Sequence, residues 1–189
     1  MAALRAPAQM HPPPARGLAL HAPGPTGWHR RIDPRALGHV PRLDRLCHGD
    51  EVDQRISFVT LAVRDLDASR RFYLDGLGWE AALLVPGEVL MIQAGDRLVF
   101  SLWADTAFEQ EVGKIARGPG VAPLTLSHNV PTHDEVDAVL ATARAAGADP
   151  VHEAVERDWG GYTGYFGDPD GYRWEIAFNP GPIGQVVLP

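Results

Sequence analysis

The sequence predicts an α+β fold of two βαβββ modules forming a curved, mostly antiparallel sheet with helices on its outer face. Three observations lead there. Short stretches rich in β-branched and apolar residues are punctuated by glycine and proline, as strands are. Two helical stretches, each stopped by glycine, stand among them. The order strand, helix, three strands occurs twice, in units of about sixty residues each.

Residues 56–63 read as the first strand. Asp65 or Asp67 can cap a helix running through Phe72 and Tyr73, which Gly76 and Gly78 end. Strands are expected at 80–85, 89–93 and 97–103, divided at Pro86-Gly87 and Gly95-Asp96. Residues 104–123 form a connector with room for one short helix, and carry Gly118-Pro119-Gly120. The order then repeats. A strand at 124–130 precedes Thr132 and Glu135, which stand at capping-box spacing. Val136, Val139, Leu140 and Ala143 share one face of the helix that follows, and Gly147 ends it. Strands are expected at 150–155, 161–166 and 172–178, the last two joined by the turn Asp168-Pro169-Asp170-Gly171. The domain therefore spans 56–180.

Residues 1–50 differ in kind. They hold eight of the 17 prolines and five of the eight histidines, and no helical or strand period survives the breaks. Disorder is the expectation for this extension, and no function is assigned to it. Its histidines are scattered singly, unlike a metal tract, and its prolines interrupt both a secretory signal and an amphipathic transit helix.

Charge and cysteine content exclude several function classes. The net charge is −7, and residues 51–189 carry 10 basic against 21 acidic side chains, the wrong sign for a nucleic-acid reader. Lys114 is the one lysine, so Schiff-base or P-loop chemistry would rest on it alone. Cys47 is the one cysteine, which excludes an internal disulfide and a multi-cysteine metal site. No apolar run approaches the length of a membrane span. A cytoplasmic protein with neither a nucleic-acid nor a membrane partner is the expectation.

Two motifs connect the chain to a known family. Val63-Arg64-Asp65-Leu66, followed by Arg71-Phe72-Tyr73 and Gly76-Leu77-Gly78, resembles the first module of the vicinal oxygen chelate superfamily. Residues 166–175, Phe-Gly-Asp-Pro-Asp-Gly-Tyr-Arg-Trp-Glu, resemble the closing hairpin of its second module. That superfamily includes glyoxalase I, bleomycin-resistance proteins, fosfomycin-resistance enzymes and extradiol dioxygenases. The resemblance covers 56–180 and implies the fold, not the reaction.

In the metal-using members, four inward-facing positions, in the first and last strand of each module, hold His, Glu or Gln. The resemblance places those positions here on Phe58, Ser101, Thr125 and Glu175. Phenylalanine has no donor atom, serine and threonine hydroxyls are poor ligands for a divalent transition metal, and one carboxylate does not hold zinc, nickel or iron. Three histidines remain beyond residue 50. His128 should face the helix-covered side of its strand, His133 falls in the first turn of a helix, and His152 lies in a strand not expected to supply ligands. No metal and no cofactor are expected.

Other chemistries find little support. Ser127 and His128 are neighbours on opposite faces of one strand, so they cannot act as nucleophile and base. The glycines of 160–164 precede a strand, where they read as a bend rather than a phosphate cradle.

What remains is a lined concavity for a small molecule. Phe58, Thr60, Ser101, Trp103, Thr125, Ser127, Asn129 and Glu175 are its inward residues by alternation and by the family's geometry. Trp159, Tyr162 and Tyr165 add aromatic groups at its rim, although core packing is an equal reading for Trp103, Tyr162 and Tyr165. Glu175 is the one inward carboxylate identified. Burial would raise its pKa and suit it as a base or as an anchor for a cationic ligand, against the alternative of a hydrogen-bonded relic. The leading expectation is metal-free binding of a small organic molecule, possible resistance-type sequestration included. The alternative is a lyase or isomerase acting on a small carbonyl substrate with Glu175 as general base. A homodimer is expected because members of the family often complete their cavities between chains and open sheets leave edges to be covered.

Overall fold

The computed structural model describes residues 53–188. The extension 1–50, expected to be disordered, lies outside the described residues. Eight strands fall into two four-stranded sheets, one per module, each ordered first, fourth, third, second. In the first module β1 (Phe58–Val63) pairs in parallel with β4 (Val99–Ala104), while β3 (Val89–Gln93) lies antiparallel between β4 and β2 (Leu83–Val85). The second module repeats this with β5 (Thr125–Asn129) parallel to β8 (Arg173–Phe178), and β7 (Tyr162–Gly167) between β8 and β6 (Val151–Glu156). The parallel pair in each module follows from the helical crossover after the first strand; tight turns make the remaining pairs antiparallel.

Local chemistry starts each helix. Asp65 caps α1 (Leu66–Arg70) by accepting a hydrogen bond from the Ala68 N–H at 2.9 Å, and α1 continues as a π-helical segment over Arg71–Gly76. Thr132 caps α3 (His133–Ala145): its hydroxyl oxygen accepts from the Glu135 N–H at 3.3 Å and its O–H donates to the Glu135 carboxylate at 2.8 Å. The strand expected at 80–85 is reduced to Leu83–Val85, and Trp79 ahead of it packs against Tyr73 and Phe100. The connector forms α2 (Asp105–Glu111), and a further helix, α4 (Pro182–Val186), follows the last strand. No described helix is long and apolar enough to cross a membrane.

One hydrophobic core joins the modules. Tyr73, fully buried in the first module, packs edge-on against Phe100 and lies 6.1 Å from the Trp174 ring of the second. Its hydroxyl donates to Asp168 Oδ2 at 2.7 Å and accepts from Trp174 Nε1 at 3.0 Å. Asp168 Oδ1 in turn accepts the N–H groups of Asp170 and Tyr172, which holds the β7–β8 turn closed. Beside this contact, Gly76 lies so near α3 that a Cβ there would stand 2.5 Å from Ala146 Cβ.

Burial raises the Asp168 pKa from the usual 3.8 to about 6, although the bonds from Tyr73 and the turn N–H groups pull the other way. The folded protein therefore holds this proton more tightly than the unfolded chain does. Asp168 contributes stability in acid that is lost as pH rises through its folded pKa. Urea unfolding should show the wild type losing about 3 kcal/mol relative to Asp168→Asn between about pH 3.5 and 6.5, at ~1.4 kcal/mol per pKa unit. A difference between the two proteins that stays flat across that range would contradict the assignment.

Candidate functional site

Alternation along β8 sends its residues to two chemically different sides. Trp174 and Ile176 are buried in the core, whereas Arg173, Glu175 and Ala177 face the side away from α3. Register places Glu175 between Ser127 of β5 and Tyr165 of β7, with His152 of β6 beyond Tyr165. Both oxygens of the Glu175 carboxylate are held. Ser127 Oγ donates to Oε2 at 2.8 Å, and the Tyr165 hydroxyl donates to Oε1 at 2.6 Å. The carboxylate forms no ion pair with a described residue, and each oxygen keeps a lone pair for an incoming donor. Glu175 is partly exposed rather than sunk in an apolar cavity, so the burial expected for it is not found.

Arg157 completes this group. Its guanidinium carbon lies 5.9 Å from the centre of the Tyr165 ring, while its Nε donates to Thr163 Oγ1 at 2.5 Å and its Nη2 to the Thr163 carbonyl at 3.3 Å. The face thus presents a cation and an anion on either side of one phenol. Arg157 went unnoticed in the sequence because a β-bulge between His152 and Val155 resets the alternation of β6. Counted from Val155, which pairs with Thr163, the same-face position is 157.

The remaining expected site residues divide. Thr125 and Asn129 lie on the same face of β5 as Ser127, Thr125 exposed and Asn129 partly so. Trp159 stands in the β6–β7 connection, 55% exposed, with its indole laid over Gly161 where any larger residue would collide with it. Tyr162 is not on this face. Its hydroxyl donates to Asp137 of α3 at 3.0 Å and its ring stacks on His133, so it belongs to the helix side, one step of the pleat away from Thr163.

Ser101 fails to reach an open surface, and Trp103 reaches it only in part. Ser101 is fully buried between Thr60 and Met91 in register, its hydroxyl without a hydrogen-bond partner among the described residues. Trp103 packs against Phe108 of α2 at 6.2 Å between ring centres, so this helix lies over the face that the first module was expected to offer a ligand. Phe58, at the start of β1, is 52% exposed.

The metal positions implied by the resemblance do not make a metal site. Phe58 offers no donor, Ser101 is sealed in, Thr125 offers a neutral hydroxyl, and Glu175 is already held by two hydroxyls. No cluster of three His, Cys, Asp or Glu able to hold a metal stands among the described residues. His128 lies on the helix side, where alternation placed it.

With this geometry in hand, comparison with known proteins settles the family. The model of the Glyoxalase/Bleomycin resistance protein/Dioxygenase superfamily matches residues 55–176. The chain belongs to this superfamily. A solved structure of a glyoxalase-related enzyme from Fulvimarina pelagi is similar at 36% identity and a TM-score of 0.61, over 67% of this chain and 89% of that one. Lactoylglutathione lyase from Agrobacterium tumefaciens is similar at 26% identity and a TM-score of 0.54, over 68% and 96%. A glyoxalase/bleomycin resistance protein/dioxygenase from Nocardioides, 22% identical with a TM-score of 0.58 over 70% and 89%, shares the fold. No curated protein matches the chain.

The bond to Glu175, followed by burial, holds the Tyr165 phenol above its usual pKa of 10, with Arg157 acting in the opposite sense. Glu175→Gln should therefore move the Tyr165 titration down toward 10, followed by NMR with tyrosine labelled at Cζ. A Tyr165 titration unchanged by the substitution would contradict the 2.6 Å bond.

Proposed function

We propose that this superfamily member is a cytoplasmic, metal-independent binder of a small organic molecule, held on the open face of its second module with Glu175 as anchor. The observation that carries the reading is the Glu175 carboxylate, aimed by Ser127 and Tyr165 and in no ion pair with a described residue. Such a group favours a ligand bearing an ammonium or another strong N–H donor, because a charge-assisted hydrogen bond is worth about 1.5–3 kcal/mol. Arg157 beside Tyr165 favours a second, electron-rich group on the same ligand. Sequestration of the resistance type needs no more than this. A chain with one cysteine and no possible internal disulfide suits a reducing compartment.

A homodimer fits the same face. Val155 on this face and Trp159 in the β6–β7 connection are large apolar residues left exposed, and a second copy packed over them would enclose the ligand beside Glu175.

Catalysis is the second reading, and the named relatives favour it, one described as a glyoxalase-related enzyme and one as a lactoylglutathione lyase. Here Glu175 would be general base to a small carbonyl substrate in a lyase or isomerase reaction. Binding ranks first because, among the described residues, the one acid beside Glu175 is the Tyr165 phenol, whose proton is already engaged by the carboxylate.

Calorimetric titration against a panel of small amines and carbonyl compounds should give a ligand whose affinity falls about 10- to 150-fold in Glu175→Gln. Trp159→Ala should weaken an aromatic ligand by about 0.5–1.5 kcal/mol from lost stacking. Turnover of a carbonyl compound that disappears in Glu175→Gln would establish the second reading instead. Elemental analysis of the purified protein should find no stoichiometric transition metal; close to one zinc, nickel, manganese or iron per chain would overturn metal independence.

A further inference from the structure

A cavity of about 210 Å³ lies on the opposite side of the β5–β8 pair from Glu175. The residues that alternate with the candidate site build it. His128 of β5 and Trp174 and Ile176 of β8 form its floor, Val139 and Thr142 of α3 one wall, and Leu77 and Trp79 of the first module the other. The geometry points to a second binding site here, one that takes a neutral aromatic molecule of one or two rings carrying a single hydrogen-bonding group.

The size sets the upper limit. A cavity of about 150 Å³ suffices for benzene, while drug-sized ligands occupy about 300–1,000 Å³. The intermediate volume fits one ring with a substituent, or two fused rings. The walls select flat, apolar matter. Trp79 and Trp174 meet edge-to-face at 5.5 Å, and Phe166, also on the lining, lies nearly parallel to Trp174 at 6.1 Å. A ring inserted there meets both faces and edges of aromatic neighbours, the arrangement such pairs prefer.

Charge selects against ions. No Asp, Glu, Lys or Arg lines the cavity, so a charged ligand would lose its hydration without a partner. The polar exception is His128, whose imidazole is in part open to solvent and makes no hydrogen bond to a described residue. The desolvating walls lower its pKa below the ordinary 6.5, so at neutral pH it is an uncharged donor and acceptor. Thr142 is not free for this role, since its hydroxyl donates to the Ala138 carbonyl at 3.0 Å.

The test uses the full chain with 4-methylphenol, toluene, indole, benzoate and benzylammonium as probes, followed by the indole N–H signals in ¹H–¹⁵N spectra. The expected result is saturable binding of 4-methylphenol and indole that shifts the Trp79 and Trp174 signals and leaves Trp159 in place. His128→Ala should bring 4-methylphenol down to the affinity of toluene, a loss of about 3- to 10-fold. Val139→Trp should fill the cavity and abolish binding of all neutral probes; His128→Ala keeps the test decisive if that variant does not fold. Glu175→Gln should leave these titrations unchanged, which separates this site from the one proposed above. Failure of the neutral probes to bind at millimolar concentration, equal binding of benzoate or benzylammonium, or shifts confined to Trp159 would each overturn the proposal.

Discussion

The two modules act as one body because a buried phenol, a buried carboxyl and an indole meet across their boundary. Tyr73 brings the end of the first helix to the turn that closes the second module, and its hydroxyl serves both Asp168 and Trp174. Each group needs the others. A buried carboxyl without donors, or a buried indole N–H without an acceptor, costs more than an ordinary hydrogen bond returns. The turn is fixed by the same carboxyl, since Asp168 also takes the N–H groups of Asp170 and Tyr172. That anchors the start of β8, and β8 carries Glu175. The contact holding the halves together is thus also the contact that places the candidate anchor.

Near-equivalence of the modules in topology does not extend to their surfaces. Both are ordered first, fourth, third, second, yet α2 packs over the first module through Phe108 and Trp103, while the second leaves Ser127, Glu175 and Thr125 within reach of solvent. A ligand set drawn from both modules is therefore divided between a sealed position at Ser101 and an open one at Glu175. The chemistry concentrates on one sheet. There the pleat separates a polar face, with Arg157, Tyr165 and Glu175, from an aromatic face with Phe166 and Trp174.

Much of this was legible in the chain itself. Asp65 and Thr132 announced the helix starts because an N-cap is a local contact, satisfied within three residues. The Asp168–Gly171 turn and the strands on either side of it were visible for the same reason, as was the placement of His128 on the helix side. The vicinal oxygen chelate resemblance, resting on those motifs, led to the superfamily that the family model matches over 55–176.

Sequence alone determined the order of elements, the poverty of metal donors at Phe58, Ser101 and Thr125, and Glu175 as the carboxylate of the second module's face. Only the tertiary structure decided which of these positions a ligand can reach. The burial of Ser101 and the covering of Trp103 by Phe108 of α2 arise from packing between elements, and the side taken by Tyr162 depends on a partner, Asp137, twenty-five residues away. Arg157 reaches Tyr165 only because a bulge shifts the register of β6. Capping and turn chemistry are written in neighbouring residues, whereas exposure and register are set by contacts between segments distant along the chain, which no local pattern encodes.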